Sequence, residues 1–384
     1  MNRIGMRKTK AVWVTLLSFF LAIFSSGRAA ASPELRKALG ELAETVKKVL
    51  DGEQEETIAV GDFSGPGNFP TASGPEIRQI LTEELEKRKV AVKIRAKFGV
   101  KGAYSQAELP AANADDARIG KKVLGVRLTA SVVDSFDKPL GNLNFERLIH
   151  GEATILELMP VDVSLPAKGR EVERDAELRK AYVKPSPVLQ GSVVRGKSGQ
   201  YGMEILVQAQ PRPAVIKDDL AFVEIQRGES YAVRLINDSD VEAAVQLRID
   251  GLSMFAFSEI RFQEGPRRGQ PRYTVVFVPA HKSFVVPGWH VNNDKSDQFL
   301  VTQYAESAAA RLQQTADIGT LSAVFQAAWE QGSTPPADEP GKNRGPGSGD
   351  ATGFGQRVDQ KYKEVKRELG VIRDSISVRY TRPR

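Results

Sequence analysis

The chain has 384 residues, no cysteine, and 54 Lys and Arg against 48 Asp and Glu, a formal net charge of +6. Without thiols there can be no disulfide, no thiol nucleophile and no lipid-anchoring cysteine, so packed cores must carry the stability of a chain long enough for two of them. Five of the basic residues (Arg3, Arg7, Lys8, Lys10 and Arg28) precede Ser32 with no acidic residue among them.

Residues 1–31 read as a secretory signal peptide: a basic start, the uncharged run from Ala11 to Phe24, and Ala29-Ala30-Ala31 as an Ala-x-Ala cleavage site. The apolar run is about 14 residues, short of the roughly 20 that a spanning helix needs. Cleavage after Ala31 and a periplasmic or extracellular location are the expectation. Removal of the leader leaves 49 Lys and Arg against 48 Asp and Glu, a net charge of +1. Overall basicity then gives no argument for a nucleic-acid partner.

From Ser32 to Leu50 the residues Leu35, Leu39, Leu42, Val46 and Val49 recur at helical spacing, which predicts an amphipathic helix followed by an acidic linker to Glu56. Thr57–Phe63 predicts a buried strand, and Ser64-Gly65-Pro66-Gly67-Asn68 a break. Ser73-Gly74-Pro75-Glu76 predicts a helix start, with Ile77, Ile80, Leu81 and Leu85 on its apolar face. Strands are expected at Val90–Ile94, Lys97–Tyr104, Lys122–Val133 and Leu140–Ile149, then short helices at Glu152–Met159 and Glu171–Tyr182. A strand pair is expected within Ser192–Val207, and a proline-containing linker over 209–218. From Leu220 short alternating runs follow: Phe222–Ile225, Tyr231–Ile236, Val241–Ile249, Tyr273–Val278, Ser283–Val286, Phe299–Thr302 and Gly319–Phe325. Their spacing predicts a β-sandwich, with a short helix inserted at Ala305–Leu312. Gly332–Gly355 is rich in Gly and Pro and reads as a flexible loop. Arg357–Leu369 reads as a basic helix with Val358, Tyr362, Val365 and Leu369 on one face, and Ile372–Tyr380 as a last strand. The expected fold class is α+β: a small α/β sandwich domain over 57–208, then a β-sandwich domain over 219–384.

The segments IAVGDF (58–63), SGPEIRQILTEELEKRKVAV (73–92), KFGVKGAY (97–104) and LGVRLTASVVD (124–134) follow one another in the order strand, helix, strand, strand, strand. This stretch, roughly 57–160, resembles the α/β domain of bacterial envelope lipoproteins grouped around the curli-secretion channel, the flagellar outer-membrane lipoproteins and the penicillin-binding-protein activators. The resemblance implies work in an envelope assembly. The lipid tether of those families does not carry over, because no cysteine is present. The stretches YAVRLINDSD, IDGLSMF, PGWHVNNDKSDQFLVTQYAESAAA, PPADEP and ISVRYT look like a module of secreted planctomycete-type bacterial proteins. That second resemblance implies architecture and export, without an activity.

Three histidines occur: His150, His281 and His290. In GWHVNNDKSD, His290 precedes Asp294 and Asp297, so His290, Asp294, Asp297 and His281 are the candidates for a divalent metal. In the same stretch Trp289, His290, Asn292 and Asn293 are candidates for a sugar or partner contact, and a surface turn is the simpler reading. No Gly-x-Ser-x-Gly elbow occurs, and the glycines at 61–67 and 196–199 lack phosphate-loop spacing. Asn237-Asp238-Ser239 spells a glycosylation sequon by coincidence.

The function expected from these residues is that of an exported, non-enzymatic binding or assembly protein without a cofactor. Its partner would be an envelope protein or a polysaccharide, met through the loops at Ser64–Gly74 and Trp289–Asp297. The alternative is a metal-assisted hydrolase built on the His290 group. A third reading is a structural subunit that oligomerises through its basic C-terminal helix.

Overall fold

The computed structural model describes residues 32–66, 74–265, 267–301, 319–339, 348–353 and 362–381. The expected leader, the helix at Ala305–Leu312 and most of the 64–74 loop lie outside the described residues. The chain is mixed α/β and mostly strand, in several sheets. It begins α1 (Pro33–Gly52), β1 (Thr57–Ser64), α2 (Gly74–Lys87), β2 (Ala91–Val92), β3 (Phe98–Pro110), α3 (Ala114–Arg118), β4 (Lys122–Asp134) and β5 (Pro139–Ile149). Next come α4 (Glu152–Leu158), β6 (Val163–Ser164), α5 (Glu171–Val183), β7 (Val188–Gln190), β8 (Val193–Arg195), β9 (Tyr201–Val207), β10 (Gln210–Pro211), β11 (Ala214–Lys217) and β12 (Leu220–Glu224). The rest is β13 (Ser230–Asn237), β14 (Glu242–Ile249), β15 (Leu252–Ser253), β16 (Val276–Val278), β17 (Lys282–Val286), β18 (Gly288–Asn292), β19 (Lys295–Leu300), β20 (Thr320–Glu330), β21 (Ser348–Gly353) and β22 (Lys363–Thr381).

The first sheet has the order β2-β1-β3-β4-β5. β1 runs parallel to β2 and β3, with α2 as the crossover to β2, while β3, β4 and β5 are antiparallel. Alternation sets its two faces. Phe98, Val100 and Tyr104 of β3 and Val126, Leu128, Ala130 and Val132 of β4 turn toward the helices and are buried. Helix α1 starts where Ser32 Oγ accepts from Leu35 N (3.2 Å), with Pro33 in the first turn. Its Leu35, Leu39, Leu42 and Val46 stripe meets Ile77, Ile80, Leu81 and Leu85 of α2 in the same core.

The other two sheets face each other across a second core. One has the path β18-β19-β13-β9-β8-β7, and the other β11-β12-β22-β20-β14-β16-β21. Tyr201, Met203, Ile205, Val233 and Leu235 of the first meet Val245, Leu247, Phe325, Ile376 and Val378 of the second. In the larger sheet β22 also pairs with β21, so β22, β20, β14, β16 and β21 close into a ring. Bulges between β20 and β22 bend the long strand into that closure. The ring has its own small core of Ala244, Val275, Phe277 and Ala328, against which Val365 and Leu369 pack.

Four expectations change. The described part of 357–369 is strand, because β22 runs unbroken from Lys363 to Thr381. The four-residue spacing of Val365 and Leu369 fits the strand period as well as the helical one, and pairing with β21 and β20 decides between them. The loop over 332–355 contains β21. The linker at 209–218 holds β10, whose Pro211 sits at the sheet margin, and β11, which starts just after Pro213. Finally, β7, β8 and β9 are hydrogen-bonded into the sheet of β13, so the 57–208 boundary cuts through that sheet. Residues 184–187, between α5 and β7, lie where the helical layer gives way to this sheet.

The helical layer is fused to the larger sheet. Val324 of β20 and Ile372 of β22 belong to the same core as α1 and α2. β6 pairs directly with β22 through Ser164 and Asp374. Arg174 of α5 donates to Ile372 O (2.8 Å) and Pro166 O (2.6 Å) and pairs with Glu152. Among the described residues no helix is long and apolar enough to cross a membrane.

Candidate functional site

The stretch carrying the strongest sequence candidates is a hairpin. β18 and β19 pair across the two-residue turn Asn293-Asp294, with Trp289 opposite Asp297 and His290 opposite Ser296. This corrects the surface-loop expectation: alternation sends His290 inward, where it is 0% exposed. Its ring lies among Phe255, Tyr273 and Tyr362 at centroid separations of 5.1, 5.6 and 5.0 Å. Its Nδ1 is 3.1 Å from Ser258 Oγ. Burial lowers its pKa to about 4, so the imidazole is neutral at ordinary pH. Trp289 occupies the other face, edge-on to Phe257 and Phe299 at 5.1 and 5.3 Å.

The remaining candidates do not gather around His290. Asp294 and Asp297 are exposed, and Asp297 shares a face with Trp289, away from the imidazole. His281 is an exposed turn residue at φ 55° whose Nε2 lies 3.0 Å from Asp240 Oδ1. Asn292 Oδ1 accepts from Asp294 N (3.1 Å), and Asn292 Nδ2 donates to Glu259 Oε2 (3.3 Å). Asn293 Nδ2 donates to the Tyr273 hydroxyl (3.3 Å). Among the described residues no group of three or more His, Asp or Glu side chains could hold a metal ion. The sequon asparagine is also internal: Asn237 is buried, and its Nδ2 donates to Val241 O and Val278 O, each at 2.8 Å.

The other region singled out by sequence, the start of the 64–74 loop, opens onto a groove of about 910 Å3. It lies over the face of the first sheet opposite the helices. Register builds its floor from two cross-strand rows: Lys101, Ser131 and Asn144, and beside it Ala103, Thr129 and Glu146. Gly61, Asp62 and Ser64 form the margin on the β1 side. Lys101 Nζ pairs with Asp137 Oδ1 (2.9 Å), and Arg127 Nε with Glu146 Oε1 (3.5 Å). Arg78 ties the β1 margin to α2, donating to Val60 O (2.7 Å) and reaching Asp62 Oδ1 (3.4 Å). Gly102 permits the tight floor, since a Cβ there would stand 2.1 Å from Thr129 O and 2.6 Å from the Phe63 ring. Asp137 lines the groove from the β4–β5 turn, and the residue before it, Phe136, is 88% exposed. The sequence signal for this face was the alternation of Arg127, Thr129 and Ser131 in a strand whose other side is apolar.

Large pKa shifts fall at the contact between the helical layer and the sheets. Burial pushes Glu76 up to about 8, Asp374 to about 7 and Asp162 to about 6. Arg248 of β14 opposes the shift of Glu76, through an Nε–Oε2 contact of 2.9 Å. It also reaches Glu157 Oε1 of α4 at 2.8 Å. Asp374 accepts from Ser164 Oγ (2.9 Å) and Ser198 Oγ (2.6 Å), and Asp162 from Ser377 N (2.9 Å). These acids are nearly sealed from solvent, so they stitch layers together and meet no ligand from outside. In comparisons with known proteins, no family model and no curated protein matches this chain.

Proposed function

We propose that this chain is an exported, non-enzymatic binding protein of a bacterial envelope or extracellular space, which holds a polysaccharide or an envelope protein in the groove over its first sheet. The observation that carries this reading is the groove itself. A three-strand floor presents an amine, two hydroxyls, an amide and a carboxylate in fixed rows, and the exposed Phe136 ring precedes Asp137, which lines the groove. Rigid strands hold such groups at low entropic cost, and a ring beside polar groups suits a sugar face or a mixed peptide. The finer architecture belongs to the same reading: an envelope-type α+β domain and a β-sandwich domain, joined through the fused layer. The order β1-α2-β2-β3-α3-β4-β5, with α3 a single short turn, supports the resemblance to the envelope-lipoprotein domain.

Retention of the chain from Ser32 onward on peptidoglycan and on soluble polysaccharides tests the proposal. Phe136→Ala combined with Asn144→Ala is expected to weaken retention about tenfold or more, equivalent to about 1.4 kcal/mol. Trp289→Ala is expected to leave retention unchanged, because that ring packs edge-on to Phe257 and Phe299 and does not line the groove. Equal retention of the groove variant and the wild type, with both folded, would remove the groove from the reading.

A further inference from the structure

The geometry points to a role for the amino group that cleavage after Ala31 would create: the free α-ammonium of Ser32 is a charged member of the buried cluster that fastens the helical layer to the sheets. The inference rests on the export reading above and adds a chemical consequence to it. Ser32 N already donates to Glu157 Oε2 at 2.7 Å. The other oxygen of Glu157 accepts from Arg248 Nη2 at 2.8 Å, and Arg248 Nε donates to Glu76 Oε2 at 2.9 Å. The side chains of Glu76, Glu157 and Arg248 are only 2–4% exposed. One guanidinium is thus shared by two buried carboxylates, and a backbone nitrogen sits against one of them.

The position of that nitrogen is set by contacts that do not involve residue 31. Ser32 Oγ accepts from Leu35 N and meets the Thr154 hydroxyl, while Ser32 O accepts from Arg36 N at 3.1 Å. As a peptide N–H, Ser32 offers Glu157 one neutral donor. As an α-ammonium it offers a full charge and a charge-assisted hydrogen bond in the same direction. The α1 dipole opposes a cation at this end, but it acts as a partial charge on a partly solvated turn. Glu157 is a carboxylate in direct contact whose own side chain is almost wholly buried, and its attraction prevails. The other charged groups nearby are accounted for: Arg36 points to Glu83 (3.0 Å) and Glu84 (3.3 Å). Burial raises the pKa of both Glu76 and Glu157, and an added cation favours their ionised forms.

The test compares two purified chains, one beginning at Ser32 and one at Ala31, each with and without Glu157→Gln. The extra residue keeps the terminal charge but moves it by about 3.5 Å. The Ser32 form is expected to melt at least about 2–4 °C above the Ala31 form, and Glu157→Gln to erase the difference. Its amine is expected to react about tenfold more slowly with an amine-acylating reagent near pH 8, where about half of a free α-amine is unprotonated. Equal melting points and equal labelling rates overturn the proposal. If the Glu157→Gln chain fails to fold, the labelling comparison between the two unsubstituted forms decides. The mass of the chain exported by a Gram-negative host separates this inference from the reading beneath it. A product starting at Ser32 supports both, and a product starting elsewhere overturns the inference while leaving export intact. A chain that keeps its leader inside the cell overturns export, and the melting comparison still judges the contact.

Discussion

His290 shows how a residue chosen for chemistry can serve packing instead. Its sequence neighbours, two asparagines and two aspartates, imply a wet turn, and only the pairing of β18 with β19 turns the imidazole inward. The consequence is measurable as a pH dependence. A buried His with its pKa lowered to about 4 contributes stability that is fully present above its unfolded value of 6.5 and is lost as pH falls through about 4. Asp374 behaves with the opposite sign. Its pKa, raised from 3.8 to about 7, gives a contribution that is full below 3.8 and is lost as pH rises through about 7. Unfolding in urea across pH 4–8 checks both, since each pKa unit is worth about 1.4 kcal/mol. His290→Gln is expected to lower overall stability and to flatten the fall between pH 6.5 and 4. Asp374→Asn, which can keep contacts to Ser164 and Ser198, is expected to flatten the loss toward pH 7 and to be more stable than wild type at pH 8. An unchanged profile in either variant would refute the assignment for that residue.

At the scale of elements, β22 is the least expected feature. Its second half reads plainly as a strand, because Ile376 and Val378 alternate with Ser375, Ser377 and Arg379. The usual inference from alternation is a wet polar face, yet Ser375, Ser377 and Arg379 are buried under the helical layer. The first half carries an ambiguous period, and the ring of five strands settles it by supplying partners on both edges. The small core inside that ring is separate from the two large ones, so it can open by itself. Phe277→Ala is expected to leave a cavity costing about 3–5 kcal/mol at that site. Hydrogen exchange should then speed up in β16, β21 and residues 363–369 before it does in β9 or β13. Uniform acceleration across both sheets would show that the ring is not an independent unit.

For the molecule as a whole, the fused layer governs stability. Arg248→Ala leaves Glu76 and Glu157 buried without the guanidinium they share, and is expected to cost about 3–5 kcal/mol. Replacing all three charged side chains with apolar ones of similar volume is expected to be far milder, because the desolvation penalty disappears with the charges. Calorimetry on the wild type should show one transition that includes both halves, since Val324 and Ile372 belong to the core of α1 and α2. Two resolved transitions would mean that the layers melt separately. Much of this architecture was legible from local pattern: α1, α2, β1, β3, β4 and β13 each carry a clear period and clear end signals. The rows of the groove were legible as one polar face of β4, though not as a groove, because β3 and β5 supply the other walls. By itself the sequence determined the strongly periodic elements such as α1, α2, β3 and β4, the absence of disulfides and the net charge of +1 over residues 32–384, all of which depend on local period and composition. Tertiary structure alone decided that His290 is internal, that β7–β9 join the sheet of β13, and that the polar face of β22 is dry. Each of those depends on which surface covers a residue, and that surface comes from segments tens to hundreds of positions away in the chain.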